Sequence, residues 1–229
     1  MIKFENTEVM NFEAALRGMR NPLNSWDKSD SLFHETADID PSDYPGDCLI
    51  GFNDLTLALK LINAGSDHRK FLRQIFVSVD ITAPLYWWKE FDTYKVGTTA
   101  NSCSTMHTVH KKEFEHDDFS HEHLFDGGAN SEGDDEMEYY ENPTTCLDYV
   151  IHVLNHYRRK FLETKDKRYW WQMIQLLPSS YNQKRTVTMT YENLRNMRQA
   201  RRNHKLDEWR VGFMEWIDTL PYADELIKS

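Results

Sequence analysis

Hydrophobic and polar positions recur along the 229-residue chain with periods that place most of its elements. Ile2 to Phe12 mixes β-branched, aromatic and charged residues in rough alternation, the pattern of an edge strand. From residue 20 to 48 every period is interrupted. Pro22, Asn24, Ser25, Pro41, Ser42, Asp43, Pro45 and Gly46 predict a long loop, which inside a domain is packed down or functional. Leu55, Leu57, Leu59, Leu61 and Ile62 predict a helix with Asn53 as its N-cap and Gly65 as its stop. A second helical start at Ser66-Asp67 leads through Phe71 and Leu72. Ile75 to Ile81 then alternates as a strand ending before Pro84. Proline suits the first turn of a helix, which Leu85 to Lys95 continues with Trp87, Trp88 and Phe91.

Beyond Pro143, the residues Leu147, Val150, Ile151, Leu154, Tyr157 and Phe161 recur at helical spacing. Lys167 to Leu177 reads as another helix, closed by Pro178, and Arg185 to Met189 alternates as a strand. Thr190 is placed to cap a basic helix through His204, and Asp207 to Leu220 to form a last amphipathic helix with Trp209, Phe213 and Trp216. Many helices around a few strands define an α+β protein, and the length suits a single domain, 1–229.

Charge alters this picture in one place. The formal net charge is −10, but residues 113 to 141 carry 12 acidic residues and no Lys or Arg, leaving 25 acids against 27 bases elsewhere. The acidity belongs to one mobile surface insertion, about 111–141, which Phe119, Leu124 and Phe125 are placed to tack down. A negative field of this kind argues against a duplex nucleic acid partner. No stretch approaches the roughly 18 consecutive apolar residues of a membrane span. Cys48, Cys103 and Cys146 are too few and too scattered for a disulfide framework or a zinc cluster. The expectation is a soluble protein of a reducing cytoplasm.

Three familiar chemistries lack their signatures: there is no Gly-rich phosphate loop, no Gly-x-Ser-x-Gly elbow and no cysteine nucleophile motif. His107, His110, His116, His121 and His123 cluster with carboxylates, but without a fixed ligand spacing, so they read as incidental to a solvated loop and no metal is expected. The pairs Trp87-Trp88 and Trp170-Trp171 read as core. Arg198, Arg201, Arg202 and Lys205 fall at i, i+3, i+4 and i+7, a cationic face suited to a phosphate or carboxylate. Ala83 to Ser104 runs from a helix of mixed polarity into a hydroxyl-rich loop with Asn101, whose neutral donors and acceptors suit a heterocycle, a phosphate or a tightly bonded turn.

On these residues the sequence resembles the flavin-dependent thymidylate synthases (ThyX), in a divergent, phage-type branch. The family has a Pro-led helix ending in Arg-His-Arg and then a loop with Asn, Glu, Ser and Arg. Here Pro84 leads the helix, Glu90 stands at the family's Gln, and Thr93-Tyr94-Lys95 stand at Arg-His-Arg. After a one-residue insertion Asn101 and Ser104 match, with Ser102 in place of Glu and Met106 in place of Arg. A second anchor follows the family's Leu-Pro, strand and Asn/Arg helix: Leu177-Pro178, Asn196 and Arg201 keep that register, while Thr190 replaces an earlier Asn. Asp67-His68 and Leu72-Arg73 occupy the region of the family's His turn and Glu-His pair, so that the likeness spans residues 50 to 220.

The resemblance implies a small mixed or antiparallel sheet surrounded by helices, and a homotetramer with active sites at subunit interfaces. It implies FAD as cofactor, with NADPH and methylenetetrahydrofolate as co-substrates in the conversion of dUMP to dTMP. By position, Ser104 and Arg201 would be catalytic, joined at the nucleotide by Glu90, Thr93 and Ser102. Arg73, Tyr94, Lys95, Asn101 and Asn196 would line the flavin. Two alternatives stay open: a related flavoenzyme making a modified pyrimidine nucleotide such as hydroxymethyl-dUMP, or a non-catalytic relative that binds a nucleotide or a partner.

Overall fold

The structure, a computed structural model, describes residues 2–33, 48–125 and 142–229. In chain order its elements are β1 (Lys3–Met10), α1 (Phe12–Arg20), β2 (Leu32–Phe33), β3 (Cys48–Leu49), α2 (Phe52–Asn63), β4 (Phe76–Pro84), α3 (Leu85–Phe91), β5 (Thr99–Ser102), α4 (Thr105–Thr108), α5 (Pro143–Thr164), α6 (Lys167–Leu176), β6 (Asn182–Thr190), α7 (Tyr191–Arg201) and α8 (Met214–Asp218). The α+β class expected from periodicity is the one observed. No helix among the described residues is long and apolar enough to cross a membrane.

The chain divides into two compact units, one of residues 82–91 and 102–184, the other of 2–81, 92–101 and 185–229. The larger unit is organised by a four-stranded sheet in the order β1-β4-β6-β5, with β1 at the expected edge. Along β4, Val77, Val79 and Ile81 are buried at every second position, as a strand with one face on a core requires. On the other face Asp80 accepts from Asn6 Nδ2 at 3.0 Å and from Thr186 Oγ1 at 2.6 Å, tying both neighbouring strands. Helix α1 was not among the expected elements. Its Phe12, Ala15, Leu16 and Met19 are buried at helical spacing, and the switch from strand to helix takes a single residue, Asn11, at φ 77°. Asparagine tolerates this left-handed conformation, and its side chain donates to Gln74 O at 2.8 Å.

The described start of the expected 20–48 loop, residues 20–33, is packed down by one buried carboxylate. Asp54 has no exposed surface. Its Oδ1 takes Arg20 Nε at 2.5 Å, and its Oδ2 takes the hydroxyls of Ser29 and Ser31 at 2.7 and 2.6 Å. Residues 34–47 of that loop lie outside the described residues. Helix α2 begins two residues earlier than expected, with Gly51 at the cap position and Asn53 inside the first turn. Its first amides are capped from a distance: Asp30 accepts from Asn53 N at 2.9 Å and Asp54 N at 3.1 Å. A Cβ on Gly51 would lie 2.3 Å from the Asp30 backbone oxygen, so only glycine admits this approach.

Desolvation pushes the Asp54 pKa up, but hydrogen bonds from Ser31, Ser29 and Arg20 and the arginine charge together bring it below the ordinary carboxylate value. A depressed folded-state pKa contributes stability that is fully present above the unfolded value of about 3.9 and is lost as pH falls through the folded one. The denaturant midpoint of the wild type should therefore exceed that of Asp54→Asn at neutral pH, and the gap should narrow below about pH 4. A gap that does not change with pH would remove this ion pair from the acid sensitivity.

Several boundaries shift from their expected places. Pro84 closes β4 rather than opening a helix, and α3 stops at Phe91, so Thr93-Tyr94-Lys95 leave the helix. The helical start after Gly65 is only a 3-10 turn, Lys70–Arg73. The hydroxyl-rich stretch Thr99–Ser102 is strand β5. Helix α7 ends at Arg201, which takes Lys205 off its cationic face, and the last expected helix divides into a π-helical stretch, Glu208–Phe213, followed by α8.

The smaller unit packs α5 on α6 around Phe114, Phe119, Leu147, Leu154 and Met173. Asn155 acts as a surrogate strand there, accepting from Phe114 N and donating to Phe114 O, each at 2.9 Å. Trp87 and Trp88 are core, as expected, whereas Trp171 is 42% exposed. Of the residues placed to tack down the acidic insertion, Phe119 is buried and Leu124 and Phe125 are exposed; residues 126–141 lie outside the described residues.

Candidate functional site

In the larger unit, residues 92–98, part of the Ala83–Ser104 segment singled out by sequence, are brought together with helix α7 although the two are about a hundred positions apart. Thr190 caps α7: its Oγ1 accepts from Asn193 N at 3.2 Å while Asn193 Oδ1 accepts from Thr190 N at 3.1 Å. The same Asn193 donates through Nδ2 to Val96 O at 2.8 Å, which fixes the turn carrying Tyr94 and Lys95. Gly97 in this turn sits at φ 77°, and a Cβ there would lie 2.9 Å from Asn193 Oδ1. Asn193 is pinned and has little room to give. Gly97→Ala should thus cost about 1–2 kcal/mol from the left-handed backbone alone, read as a lower urea midpoint; an unchanged midpoint would show that the turn relaxes freely.

At the other end of α7, Arg201 Nε donates to Tyr94 Oη at 2.8 Å. The guanidinium carbon stands 5.4 Å from the Tyr94 ring centroid and 5.2 Å from that of Trp209. Arg185 pairs with Asp92 at 2.7 Å and so holds the start of the turn to β6. Glu192, buried on α7, takes Arg69 Nε at 2.9 and 3.2 Å, with Arg73 Nη2 4.0 Å away. Arg73 also donates to Ser66 O at 3.2 Å. Arg195 turns to the chain's last residues, donating to Ile227 O at 3.2 Å, and burial lowers its pKa, with Arg69 adding to the effect.

Among the expected site residues of this unit, Tyr94 and Arg201 are in direct contact. Thr93, Lys95, Asn101 and Asn196 are exposed, with Asn196 on the outer face of α7 and Asn101 on β5. Periodicity did not point to Asn193, Glu192 or Arg69. The Thr-x-x-Asn spacing at 190–193 was a legible capping signal for the first of these; the bond to Val96 was not.

In the smaller unit, Glu90 is half-buried on α3. The amides of Leu85 and Tyr86 that open this helix donate to Tyr181 O and Ser179 O, each at 3.0 Å, just after the Leu177-Pro178 anchor. Ser104 caps α4: its hydroxyl accepts from His107 N at 3.2 Å and its carbonyl from Thr108 N at 3.0 Å. Ser102 is exposed at the end of β5. Cys103, between them, is held by Lys184 O and Gln183 Nε2 at 2.9 and 2.7 Å. The Ser102-Ser104 strip is therefore rigidly seated.

The histidine-rich stretch is knitted into its own unit. His116 Nε2 meets Asp148 Oδ1 at 2.5 Å and His121 Nδ1 lies 2.9 Å from Phe119 O. No group of three or more His, Cys, Asp or Glu side chains arranged to hold a metal occurs among the described residues. Burial, with Lys111, Lys165 and Arg158 nearby, lowers the His110 pKa and favours the neutral ring.

The fold is similar to that of crystal-structure thymidylate synthase X (ThyX) from Helicobacter pylori with FAD and dUMP, at TM-score 0.66 and 16% identity over 100% of this chain and 98% of that one. A second structure of the flavin-dependent enzyme from Helicobacter pylori, complexed with FAD and dUMP, gives TM-score 0.64 and 16% identity over 98% of this chain and 99% of that one. No family model matches the sequence, and no curated protein does. The chain thus has the fold of the flavin-dependent thymidylate synthases along its whole length.

Proposed function

We propose that this protein is a flavin-dependent, thymidylate synthase-like enzyme that acts on dUMP. The observation that carries the reading is the contact of Tyr94 with Arg201, because it joins the two segments of the sequence that match the family's flavin and nucleotide motifs. Arg201 has the chemistry to bind a phosphate or a pyrimidine carbonyl through charge-assisted hydrogen bonds. On the resemblance alone, Glu90, Thr93, Ser102 and Ser104 are proposed for the nucleotide as well.

The chain's donors suit FAD. Lys95 and Arg73 are exposed cations for a diphosphate, and Asn101 and Asn196 are exposed amides for a ring system or ribose. When bound, the reduced flavin would supply the hydride equivalent, with NADPH as its source and methylenetetrahydrofolate as carbon donor. The protein's own residues bind and orient the nucleotide and shape the field around it. No cysteine is required by this reading. Assembly as a homotetramer of a soluble, cytoplasmic protein is part of the proposal.

Titration of the purified protein with FAD and then dUMP, followed by the flavin spectrum, tests it. Uptake of flavin followed by a nucleotide-dependent spectral change supports the reading, and a protein that takes up no added FAD overturns it. Incubation with dUMP, methylenetetrahydrofolate and NADPH then identifies the product: dTMP supports synthase activity, and a hydroxymethylated nucleotide redirects it to the related chemistry.

A further inference from the structure

The guanidinium of Arg201 is already held on two sides. The phenol of Tyr94 engages Nε at 2.8 Å, and the rings of Tyr94 and Trp209 lie 5.4 and 5.2 Å from Cζ. These rings meet edge to face, 6.2 Å apart at 62°. Trp209 has no exposed surface and is braced by Phe213 at 4.9 Å. It lies in the π-helical stretch Glu208–Phe213, a rare geometry found frequently at functional sites. Tyrosine at 94 is also the position at which the chain departs from the family's histidine, and the departure introduces the hydroxyl that reaches Arg201.

We propose that Trp209, together with the Tyr94 hydroxyl, is a positioning residue that presets the plane of Arg201 for the nucleotide. The inference rests on the reading of Arg201 as the dUMP-binding group. An arginine fixed on binding loses rotamer freedom, and a guanidinium stacked on an indole and bonded at Nε has lost it beforehand. The indole face attracts the cation, and the phenol fixes rotation about the arginine's last bonds.

Two measurements test it, the first without any ligand. In the 15N-labelled protein, the Arg201 Nε–H resonance, assigned by its loss in Arg201→Lys, should be shifted upfield by the ring faces and protected from solvent exchange. Tyr94→Phe should remove the protection. A wild-type signal with the position and exchange rate of free arginine overturns the clamp. In the second, Trp209→Leu in the FAD-loaded protein should weaken dUMP binding about tenfold, and Trp209→Phe, which keeps a ring face, should stay within about threefold of wild type. FAD affinity should be unchanged in both. Should Trp209→Leu fail to fold, Tyr94→Phe serves in its place, with a loss of dUMP affinity of about fivefold expected. Wild-type protein with the clamped signal but no dUMP binding overturns the site reading, whereas wild type and variants that bind dUMP equally overturn the positioning role alone.

Discussion

Replacing Arg201 by alanine should weaken dUMP binding by roughly ten- to 150-fold, the loss expected when a charge-assisted hydrogen bond worth about 1.5–3 kcal/mol is removed. Two cations of the same unit that could otherwise compensate have other engagements. Arg69 is committed to Glu192 and Arg195 to the Ile227 carbonyl. Lys205 lies beyond the end of α7, so it does not share the helical face on which Arg201 stands. The substitution also leaves the fold's main supports intact, since Arg201 is only half-buried and Trp209 remains braced by Phe213. Flavin-monitored titration of the FAD-loaded variant measures the change, with the urea midpoint as a control. An affinity equal to that of wild type would remove Arg201 from the nucleotide site.

Asp54→Ala should lower the stability of the protein by about 3–5 kcal/mol, because it strands the Arg20 guanidinium in the interior without its counter-charge. Arg20 is 4% exposed in its side chain and Asp54 is 0% exposed, so water cannot take over the missing bonds. One Arg20 amino group, Nη2, already lacks a hydrogen-bond partner in the structure, which leaves little slack for a further loss. Removal of the carboxylate also frees the hydroxyls of Ser29 and Ser31 and loosens the segment that presents Asp30 to α2. Urea unfolding should show the drop, and limited proteolysis should cut first within residues 25–33. A loss under about 1 kcal/mol would mean that the pair contributes only what an exposed one does.

The elements that periodicity revealed were those whose reasons are local. Strand β4 alternates, α5 carries its apolar stripe from Leu147 to Phe161, about four turns, and Thr190 announces α7 with a capping box. Long-range causes were not legible. Helix α2 is capped by Asp30, 23 positions before Asn53, and nothing in a local window marks that carboxylate as different from others. Helix α3 ends at Phe91 although the next residue with a strong stop signal is Gly97. Strand β5 looks like a loop because its residues are small and hydroxylated. The π-helical stretch around Trp209 keeps an apolar pattern close to that of an α-helix, so the extra residue per turn left no trace in the hydropathy. The candidate site was legible as motif positions, but the Tyr94–Arg201 contact and the Asn193–Val96 bridge join residues 107 and 97 positions apart. Such contacts are set by the sheet order, which places β6 between β4 and β5.

That strand order also bears on synthesis. The larger unit draws on residues 2–81, a ten-residue middle piece and 185–229, and its central strand pairs with one that emerges about a hundred residues later. A growing polypeptide cannot close this body until β6 and the residues after it have been translated. The helices of the intervening stretch can pack far earlier, since α5 and α6 follow each other directly. Birth on the ribosome therefore leaves the apolar face of the first strands waiting for its cover, the interval in which a chaperone would matter most.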